Sequence, residues 1–334
     1  MEKTAVLLLN LGTPETPTRW GIWRYLATFL RDSRVIDLPA PIRYLLLYGL
    51  VLPFRTASTT KAYQKIWTPE GSPLRVQLNN LQQALATALH PHPIDVYTAM
   101  RYGNPELTET LTNLKNKYTH LIILPLFPQY ASSTTGSALQ KVFEQLTTWD
   151  YIPKITAPNA FYQDPDFGRL WAHKILECYD HTQHDCVLLS YHSLPLKALP
   201  KVQCTTYQHC LRTHCPPHAQ CYRAQCLATT ANIRTTLPSD LPIFTSFQSK
   251  IGKTPWIAPS NTEQLKILKD KGFKHPLVAC PSFVADCVET LEEIQLRLKE
   301  EWLAMGGTGL TLVPCLNADN AWIAWLKDYC LKLA

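Results

Sequence analysis

Two apolar runs with the character of buried strands lead into residues that can do chemistry. The run 185–191 is followed at once by His192, and the run 275–280 is followed by an acidic stretch that contains Glu289 and Glu293. In open α/β sheets, ligands bind just beyond the carboxyl ends of the strands. A lone histidine in such a turn is more often a structural residue. An imidazole at one strand end and carboxylates at another, however, favour a functional site.

These side-chain types suit proton transfer and the handling of a metal ion. Neutral imidazole, with a reference pKa of about 6.5, can accept a proton or bind a metal near neutral pH. Carboxylates bind divalent iron and can replace its water ligands. Asp286, Glu289 and Glu293 are spaced so that they would share one face of a helix predicted over 286–303. The alternative is a solvated helix face whose acids complement the helix N-terminus.

The elements that would position these residues alternate between strand and helix along the whole chain. Such alternation implies parallel sheets with crossover helices. We therefore predict an α/β fold of two Rossmann-like, doubly wound domains, with a boundary near 157–162. Strands are expected at 4–10, 94–100, 120–126, 154–157, 185–191, 242–247, 275–280 and 309–313.

Composition excludes several classes of protein. A chain of 334 residues that is 46% hydrophobic and 17% charged is globular and long enough for two domains. The net charge of +6 is scattered without a basic cluster, which argues against nucleic acid as a partner. With 12 glycines and no glycine-rich phosphate loop, we expect no nucleotide ligand.

The longest apolar run, 44–54, lies between Arg43 and Arg55 and is shorter than the about 20 residues that span a bilayer. It is either a buried short helix or an exposed lip that touches a membrane surface. The sequence starts without a recognisable signal peptide, so we expect a cytoplasmic protein that associates peripherally with the inner face of the membrane.

Several ordered motifs carry a family resemblance. Ser190-Tyr-His-Ser-Leu-Pro195 and Asp286-Cys-Val-Glu-Thr-Leu-Glu-Glu293 resemble the two signature segments of the ferrochelatases, lyases that insert ferrous iron into protoporphyrin. Further matching segments lie at 8–14, 31–39, 71–74, 100–105, 124–130, 133–136 and 247–256. The resemblance implies the class II chelatase fold, with domains over 1–158 plus 317–334 and over 159–316.

The resemblance also assigns roles to individual residues. It implies that His192 and Glu289 are catalytic, and that His192, Glu289 and Glu293 handle the ferrous substrate; whether His192 mainly accepts protons or binds iron stays open. The implied porphyrin-binding residues are Leu11, Arg55, Arg101, Tyr102, Tyr130, Trp256 and Phe283. Leucine at position 11 favours protoporphyrin IX, because relatives that use coproporphyrin tend to carry tyrosine there. Animal members often carry histidine where this chain has Cys287.

Two alternatives to a protoporphyrin ferrochelatase remain. One is a chelatase for another metal or tetrapyrrole, such as cobalt or coproporphyrin. The other is a non-catalytic haem-binding or redox-sensing protein, although storage needs no proton acceptor paired with acids.

A cysteine-rich stretch contains five of the chain's 11 cysteines: Cys204, Cys210, Cys215, Cys221 and Cys226. Their spacing fits neither common zinc pattern, but thiolates at this density suit a soft metal or an iron–sulfur cluster. The stretch resembles the internal cysteine-rich segment of some bacterial ferrochelatases, which implies a [2Fe–2S] cluster on Cys204, Cys210, Cys215 and Cys221. Cys226 is left out because the stretch 222–226 resembles a helix start also found in relatives without a cluster. Zinc is the competing metal, since four thiolates suit it too.

Overall fold

The computed structural model describes residues 3–199, 220–250, 252 and 254–334. The chain divides into two compact units. The first unit comprises Met1–Phe127, Ala131–Ala160 and Asn317–Ala334. The second unit comprises Pro128–Tyr130 and Phe161–Leu316.

Each unit is built on a four-stranded parallel sheet. The first sheet contains β1 (Thr4–Gly12), β2 (Ile94–Tyr102), β3 (His120–Pro125) and β4 (Lys154–Thr156), in the order β2-β1-β3-β4. The second contains β5 (Cys186–His192), β6 (Ile243–Gln248), β7 (Pro276–Ala279) and β8 (Thr311–Leu312), in the order β6-β5-β7-β8. All of these strand pairs are parallel, which confirms the predicted α/β fold with its two parallel sheets.

Helices connect the strands. The α-helices of the described chain are α1 (Arg19–Leu30), α2 (Ala40–Leu46), α3 (Leu52–Ile66), α4 (Pro73–Leu89), α5 (Leu107–Leu114), α6 (Ser137–Leu146), α7 (Pro165–Cys178), α8 (Tyr222–Arg234), α9 (Asn261–Asp270), α10 (Val288–Thr290), α11 (Lys299–Ala304) and α12 (Asn320–Leu333). Wider π-helical turns lie at Leu47–Val51, Ser132–Gly136 and Leu291–Leu298, and a 3₁₀ turn lies at Leu196–Ala198.

The central strands are buried on both faces. Residues 4–10 of β1 are all buried, as expected for a strand whose apolar run has no polar alternation. One face packs with α5 and α6 through a core that includes Leu7, Leu111 and Val142. The core of the second unit gathers Leu188, Val278 and Trp302. These cores hold the ends of the strands in place.

The second sheet places β5 at the point where the order of the strands reverses. The chain adds β6 on one side of β5 and then crosses over to add β7 and β8 on the other side. Ligands of doubly wound folds bind at the carboxyl ends of strands at such a switch point. His192 is the last residue of β5 and therefore lies at this position.

The helix predicted over 286–303 differs from expectation in two ways. It begins only at Val288, because Cys287 has an extended backbone, with φ −149° and ψ −175°, and forms the N-cap. Asp286 therefore precedes the helix and does not share a helical face with Glu289 and Glu293. The middle of the helix is π-helical, and such turns are frequent at functional sites.

Candidate functional site

The tautomer of His192 follows from its hydrogen bond. Its Nδ1 lies 2.6 Å from the carbonyl oxygen of Ser193, so Nδ1–H is the donor. This leaves the lone pair of Nε2 available to accept a proton or bind a metal. The half-buried imidazole packs edge-to-face against Phe283, with ring centroids 6.2 Å apart. The hydrogen bond to Ser193 and the contact with Phe283 together fix the orientation of the imidazole ring.

The loop after His192 is joined to the loop that carries Trp256. Ser193 donates its backbone N–H to Gln248 O at 2.9 Å and its hydroxyl to Ile257 O at 3.1 Å. Pro195 and Trp256 form an antiparallel bridge. These contacts place the half-buried Trp256 next to the loop that follows His192.

The end of β6 contacts both Glu289, the predicted catalytic acid, and Glu293, a predicted contact of the ferrous substrate. The Gln248 side chain donates from Nε2 to the backbone carbonyl of Glu289 at 2.8 Å. Ser249 donates its backbone N–H and its hydroxyl to the two carboxylate oxygens of Glu293, each at 2.7 Å. Arg297 lies 3.7 Å from the same carboxylate. Glu293 is therefore fixed in one orientation, while the Glu289 carboxylate lies in a half-buried position on α10.

Gln248 and Ser249 contact the predicted acids, although the sequence patterns predicted no role for either residue. Gln248 is 1% exposed, pairs in register with His192, and accepts a hydrogen bond from Ser190 at 2.8 Å. Ser249 has a left-handed φ of 66°, which is uncommon for a residue other than glycine and often marks functional strain. The available signal was the polar pair at the end of an apolar strand, inside the matching segment 247–256.

Asp286 is a structural residue. Its buried carboxylate accepts hydrogen bonds from the Thr290 hydroxyl and from the Cys315 backbone N–H, each at 3.2 Å. It thus ties the start of α10 to the stretch after β8. Burial raises the pKa of the neighbouring Cys280, Cys287 and Cys315 thiols well above the usual value, so these groups stay protonated near neutral pH.

No three histidine, cysteine, aspartate or glutamate side chains among the described residues are arranged to hold a metal ion together. His192, Glu289 and Glu293 thus do not form a pre-built three-ligand site, and their role toward iron stays a prediction. A substrate metal that is passed on during turnover needs loose, successive contacts rather than a closed structural site.

Arg101 and Tyr102 belong to a buried network in the first unit. Asp32 Oδ2 accepts hydrogen bonds from the guanidinium of Arg101 and from the Tyr102 hydroxyl, both at 2.7 Å, and from the Ser137 hydroxyl at 2.5 Å. Burial by itself would raise the pKa of Asp32, but hydrogen bonds from Ser137 and Tyr102 and the charge of Arg101 lower it overall. Burial also raises the pKa of the Tyr102 phenol. The Arg101 cation is therefore already paired with a carboxylate.

The other predicted porphyrin-binding residues lie on different elements. Leu11 in β1 is half-buried and packs against the core of the first unit, and Arg55 in α3 is exposed. Tyr130 is half-buried, and its backbone N–H donates to Gln225 Oε1 of α8 at 2.6 Å. The second unit brings together His192, Trp256, Phe283, Glu289 and Glu293, whereas Leu11, Arg55, Arg101 and Tyr102 belong to the first.

The apolar run 44–54 buries Leu47 and Leu52 but exposes Tyr44, Leu45, Leu50 and Phe54, so it is not the fully buried helix of the first alternative. The apolar lip, defined here as the exposed side chains Trp20, Ile42, Tyr44, Leu45, Leu50 and Phe54, lies on α1 and on the continuous helical segment 40–66. Leu45 is 77% exposed and Phe54 is 73% exposed. In the described part of the chain, no helix is long and apolar enough to cross a membrane.

The predicted cluster ligands Cys204, Cys210 and Cys215 lie outside the described residues. Cys221 is buried and is the N-cap residue of α8. Cys226 is buried in α8, and burial raises the pKa of its thiol well above the usual value.

Comparison with known proteins gives one consistent result. A sequence model of the ferrochelatase family matches residues 3–333. A ferrochelatase of Legionella pneumophila is 44% identical over 330 residues, covering 98% of this chain and 98% of the relative. A ferrochelatase of Coxiella burnetii is 39% identical over 327 residues, covering 96% of this chain and 91% of the relative.

Solved structures support the fold at much lower identity. SirB from Bacillus subtilis with Fe3+ aligns with a TM-score of 0.57 and 10% identity, covering 99% of this chain and 96% of that chain. CbiX, described as the terminal enzyme for biosynthesis of sirohaem in denitrifying bacteria, aligns with a TM-score of 0.51 and 10% identity, covering 99% of each chain. The match along almost the whole sequence shows that this chain belongs to the ferrochelatase family.

Proposed function

We propose that this chain inserts ferrous iron into protoporphyrin IX, forming protohaem and releasing two protons. Iron insertion into a porphyrin is the reaction of the family, and the chain is a lyase of haem biosynthesis. The observation that carries the assignment is His192 at the end of β5. Its Nδ1–H is engaged by Ser193 O, and among the contacts of the described residues its Nε2 has no hydrogen-bond partner. The ring lies next to Phe283, in the same unit as Glu289 and Glu293.

The residues divide the chemical work as follows. The carboxylates of Glu289 and Glu293 replace water ligands of the ferrous substrate. Nε2 of His192 accepts a pyrrole proton, or contacts the iron, with the lone pair that its Nδ1–H bond to Ser193 leaves free. The rings of Phe283 and Trp256 offer apolar surface to the flat macrocycle. The two hydrogen bonds from Ser249 keep the Glu293 carboxylate in one orientation while the ferrous ion is transferred.

The choice of protoporphyrin rests on Leu11. A leucine side chain has no oxygen that could ligate the iron of the product. We therefore infer that the product leaves without a protein ligand from this position, as suits protohaem. Arg55, which is exposed, is our candidate partner for a propionate.

A direct assay tests the function. Purified protein is incubated without oxygen with ferrous iron and protoporphyrin IX, and in parallel with coproporphyrin and with cobalt. We expect the fastest metalloporphyrin formation with ferrous iron and protoporphyrin. Faster turnover with coproporphyrin or with cobalt would replace the substrate assignment. Tight haem binding without insertion of any metal would favour the haem-binding alternative.

We further propose that the apolar lip associates reversibly with the cytoplasmic face of the membrane. Exposed aromatic and aliphatic side chains flanked by basic residues suit an interfacial contact. The double variant Leu45→Ser/Phe54→Ser should weaken vesicle binding roughly tenfold or more, because two side chains no longer transfer from water. Ile267→Ser, which removes an apolar side chain that is 41% exposed in the second unit, is the matched control. Equal vesicle binding by all variants would refute the contact.

The cysteine-rich segment is proposed to hold a [2Fe–2S] cluster on Cys204, Cys210, Cys215 and Cys221. Cys221 fits as a ligand because a helix N-terminus favours negative charge. Cys226 is left out of the ligand set because its stretch resembles a helix start also found in relatives without a cluster, and it lies inside α8. The cluster would have a structural or regulatory role, since iron insertion transfers no net electrons.

Metal analysis distinguishes the alternatives for this segment. Protein purified without oxygen should be red-brown, with roughly two irons and two acid-labile sulfides per chain. Cys204→Ser should abolish the colour and Cys226→Ser should retain it. A colourless protein with one zinc per chain would replace the cluster with a zinc site, and neither metal would end the proposal.

A further inference from the structure

Helix α8 buries polar side chains where a core helix usually has apolar ones. Tyr222, Gln225, Thr229 and Thr230 are all buried, and their spacing places them on one side of the helix. Buried polar groups are costly unless they are paired, and their partners need correct geometry. This side of α8 is here called the polar face. Because hydrogen bonds need a defined geometry, the polar face restricts the position and orientation of α8 more than apolar contacts would.

The polar face forms hydrogen bonds with separate stretches of the second unit. The Tyr222 hydroxyl shares a hydrogen bond with the Ser282 hydroxyl at 3.1 Å. Gln225 Oε1 accepts from the Tyr130 backbone N–H at 2.6 Å. The Thr230 hydroxyl shares a hydrogen bond with the Tyr191 hydroxyl at 2.8 Å.

Gln129 connects two of these stretches. Its side chain is 3% exposed and donates from Nε2 to Thr229 Oγ1 at 3.0 Å and to Pro281 O at 3.3 Å. The residues before Tyr130 and the turn before Ser282 are thereby fixed to the same helix.

Each partner adjoins or is a predicted site residue. Tyr191 immediately precedes His192 in β5, and Ser282 immediately precedes Phe283, whose ring contacts the imidazole. Tyr130 is itself a predicted porphyrin-binding residue. A small shift of α8 therefore moves the base and two walls of the site together.

We propose that Tyr222, Gln225 and Thr230 are positioning residues for iron insertion, acting through Phe283, Tyr130 and His192. The proposal rests on the proposed function, because it concerns how the same site is held. Cys221, the N-cap residue of α8, directly precedes Tyr222 in the chain.

The experiment removes one hydroxyl at a time. Tyr222→Phe and Thr230→Val keep the side-chain shape, Thr230→Ser restores the hydroxyl, and Thr235→Val is the control. The hydroxyl of the exposed Thr235 donates to Asn232 O of its own helix at 2.7 Å, and Thr235→Val keeps the backbone N–H bond to Ala231 O. Anaerobic assays measure kcat, the porphyrin KM and the pH profile at a temperature well below the unfolding midpoint.

We expect kcat to fall about three- to tenfold in Tyr222→Phe and in Thr230→Val, as one lost hydrogen bond implies. Thr230→Ser should recover most of this loss, and Thr235→Val should match the wild type. The double variant Tyr191→Phe/Thr230→Val should be no slower than Thr230→Val, because that single variant already removes the Tyr191–Thr230 hydrogen bond together with the longer Thr230–Thr245 contact at 3.5 Å.

A lower unfolding midpoint with unchanged kcat and pH profile would overturn the proposal and leave these residues a structural role only. If Tyr222→Phe does not fold, Ser282→Ala tests the same hydrogen bond from its other partner. A wild-type protein that inserts no iron would refute the proposed function instead. An active wild type with active variants would refute only the positioning role.

Discussion

Ser249 offers a sharp test of how the acidic pair is held. Ser249→Ala removes the hydroxyl that donates to Glu293 Oε2 at 2.7 Å, and the backbone N–H that donates to Oε1 stays. Ser249→Gly removes the same hydroxyl but suits the left-handed backbone, where φ is 66°. The two variants therefore share the loss at the site and differ in backbone strain.

The expected size of the effect follows from the contact. A hydrogen bond to a charged group contributes about 1.5–3 kcal/mol, and the Glu293 side chain is 17% exposed, so solvent screening reduces this only partly. A loss of about 1–2 kcal/mol lowers the population of the held carboxylate about 5- to 30-fold. We expect kcat to fall by about this factor in both variants, with little change in the porphyrin KM.

Stability should separate the two variants. Glycine in a left-handed conformation avoids a cost of about 1–2 kcal/mol that alanine bears. Urea unfolding should therefore rank Ser249→Gly above Ser249→Ala, while the anaerobic insertion assay finds them equally slow. Unchanged kcat in both variants would refute the role of the hydroxyl. A raised porphyrin KM at constant kcat would show that Ser249 contacts the substrate rather than positioning Glu293.

Further predictions concern the base, the acids and the buried network of the first unit. His192→Ala should nearly abolish metal insertion but leave porphyrin binding, measured by fluorescence quenching, within about twofold, because it removes the Nε2 lone pair and little apolar surface; near wild-type turnover would contradict this. Glu289→Gln should slow insertion more than Glu293→Gln, since Glu293 is already engaged by hydrogen bonds; the reverse order in kcat would show that Glu293 is the main iron contact. Asp32→Asn should destabilise the fold at pH 7 by about 1–3 kcal/mol. The folded-state pKa of Asp32 lies below its unfolded value. The difference in unfolding free energy between wild type and Asp32→Asn should therefore persist above the unfolded pKa and shrink as pH falls through the folded pKa. If that difference instead grows on acidification, the lowered pKa of Asp32 is contradicted.

The sequence alone determined the strand-level architecture and the family. Continuous apolar runs such as 4–10 can only be strands or helices buried on both faces, and their alternation with helical segments leaves parallel sheets as the solution. The same runs placed His192 at a strand end, since a polar residue after an apolar strand lies where the sheet stops. These are local patterns, and local patterns are readable without coordinates.

Tertiary structure decided what each polar side chain contacts. The Ser249–Glu293 hydrogen bonds join residues 44 positions apart, and the Arg101–Asp32 pair joins residues 69 positions apart. Residue types alone do not specify such partners, because many acids and donors in the chain could pair equally well. The sequence could not reveal that Arg101 is already paired with Asp32, nor that the polar residues of α8 are buried and hydrogen-bonded to Tyr130, Tyr191 and Ser282.

The helix that carries the acids shows the same division on a smaller scale. Residue spacing predicted that Glu289 and Glu293 lie near one another. In the structure, the Glu289 backbone carbonyl bonds to Gln248 and the Glu293 carboxylate bonds to Ser249, both at the end of β6. Spacing also placed Asp286 on that face, which was wrong. The extended backbone of Cys287 starts the helix late, and Asp286 is instead fixed by Thr290 and by the Cys315 backbone N–H. Where a helix starts, and whether its turns widen to π-helix, depends on contacts made by distant parts of the chain, and only the folded structure contains them.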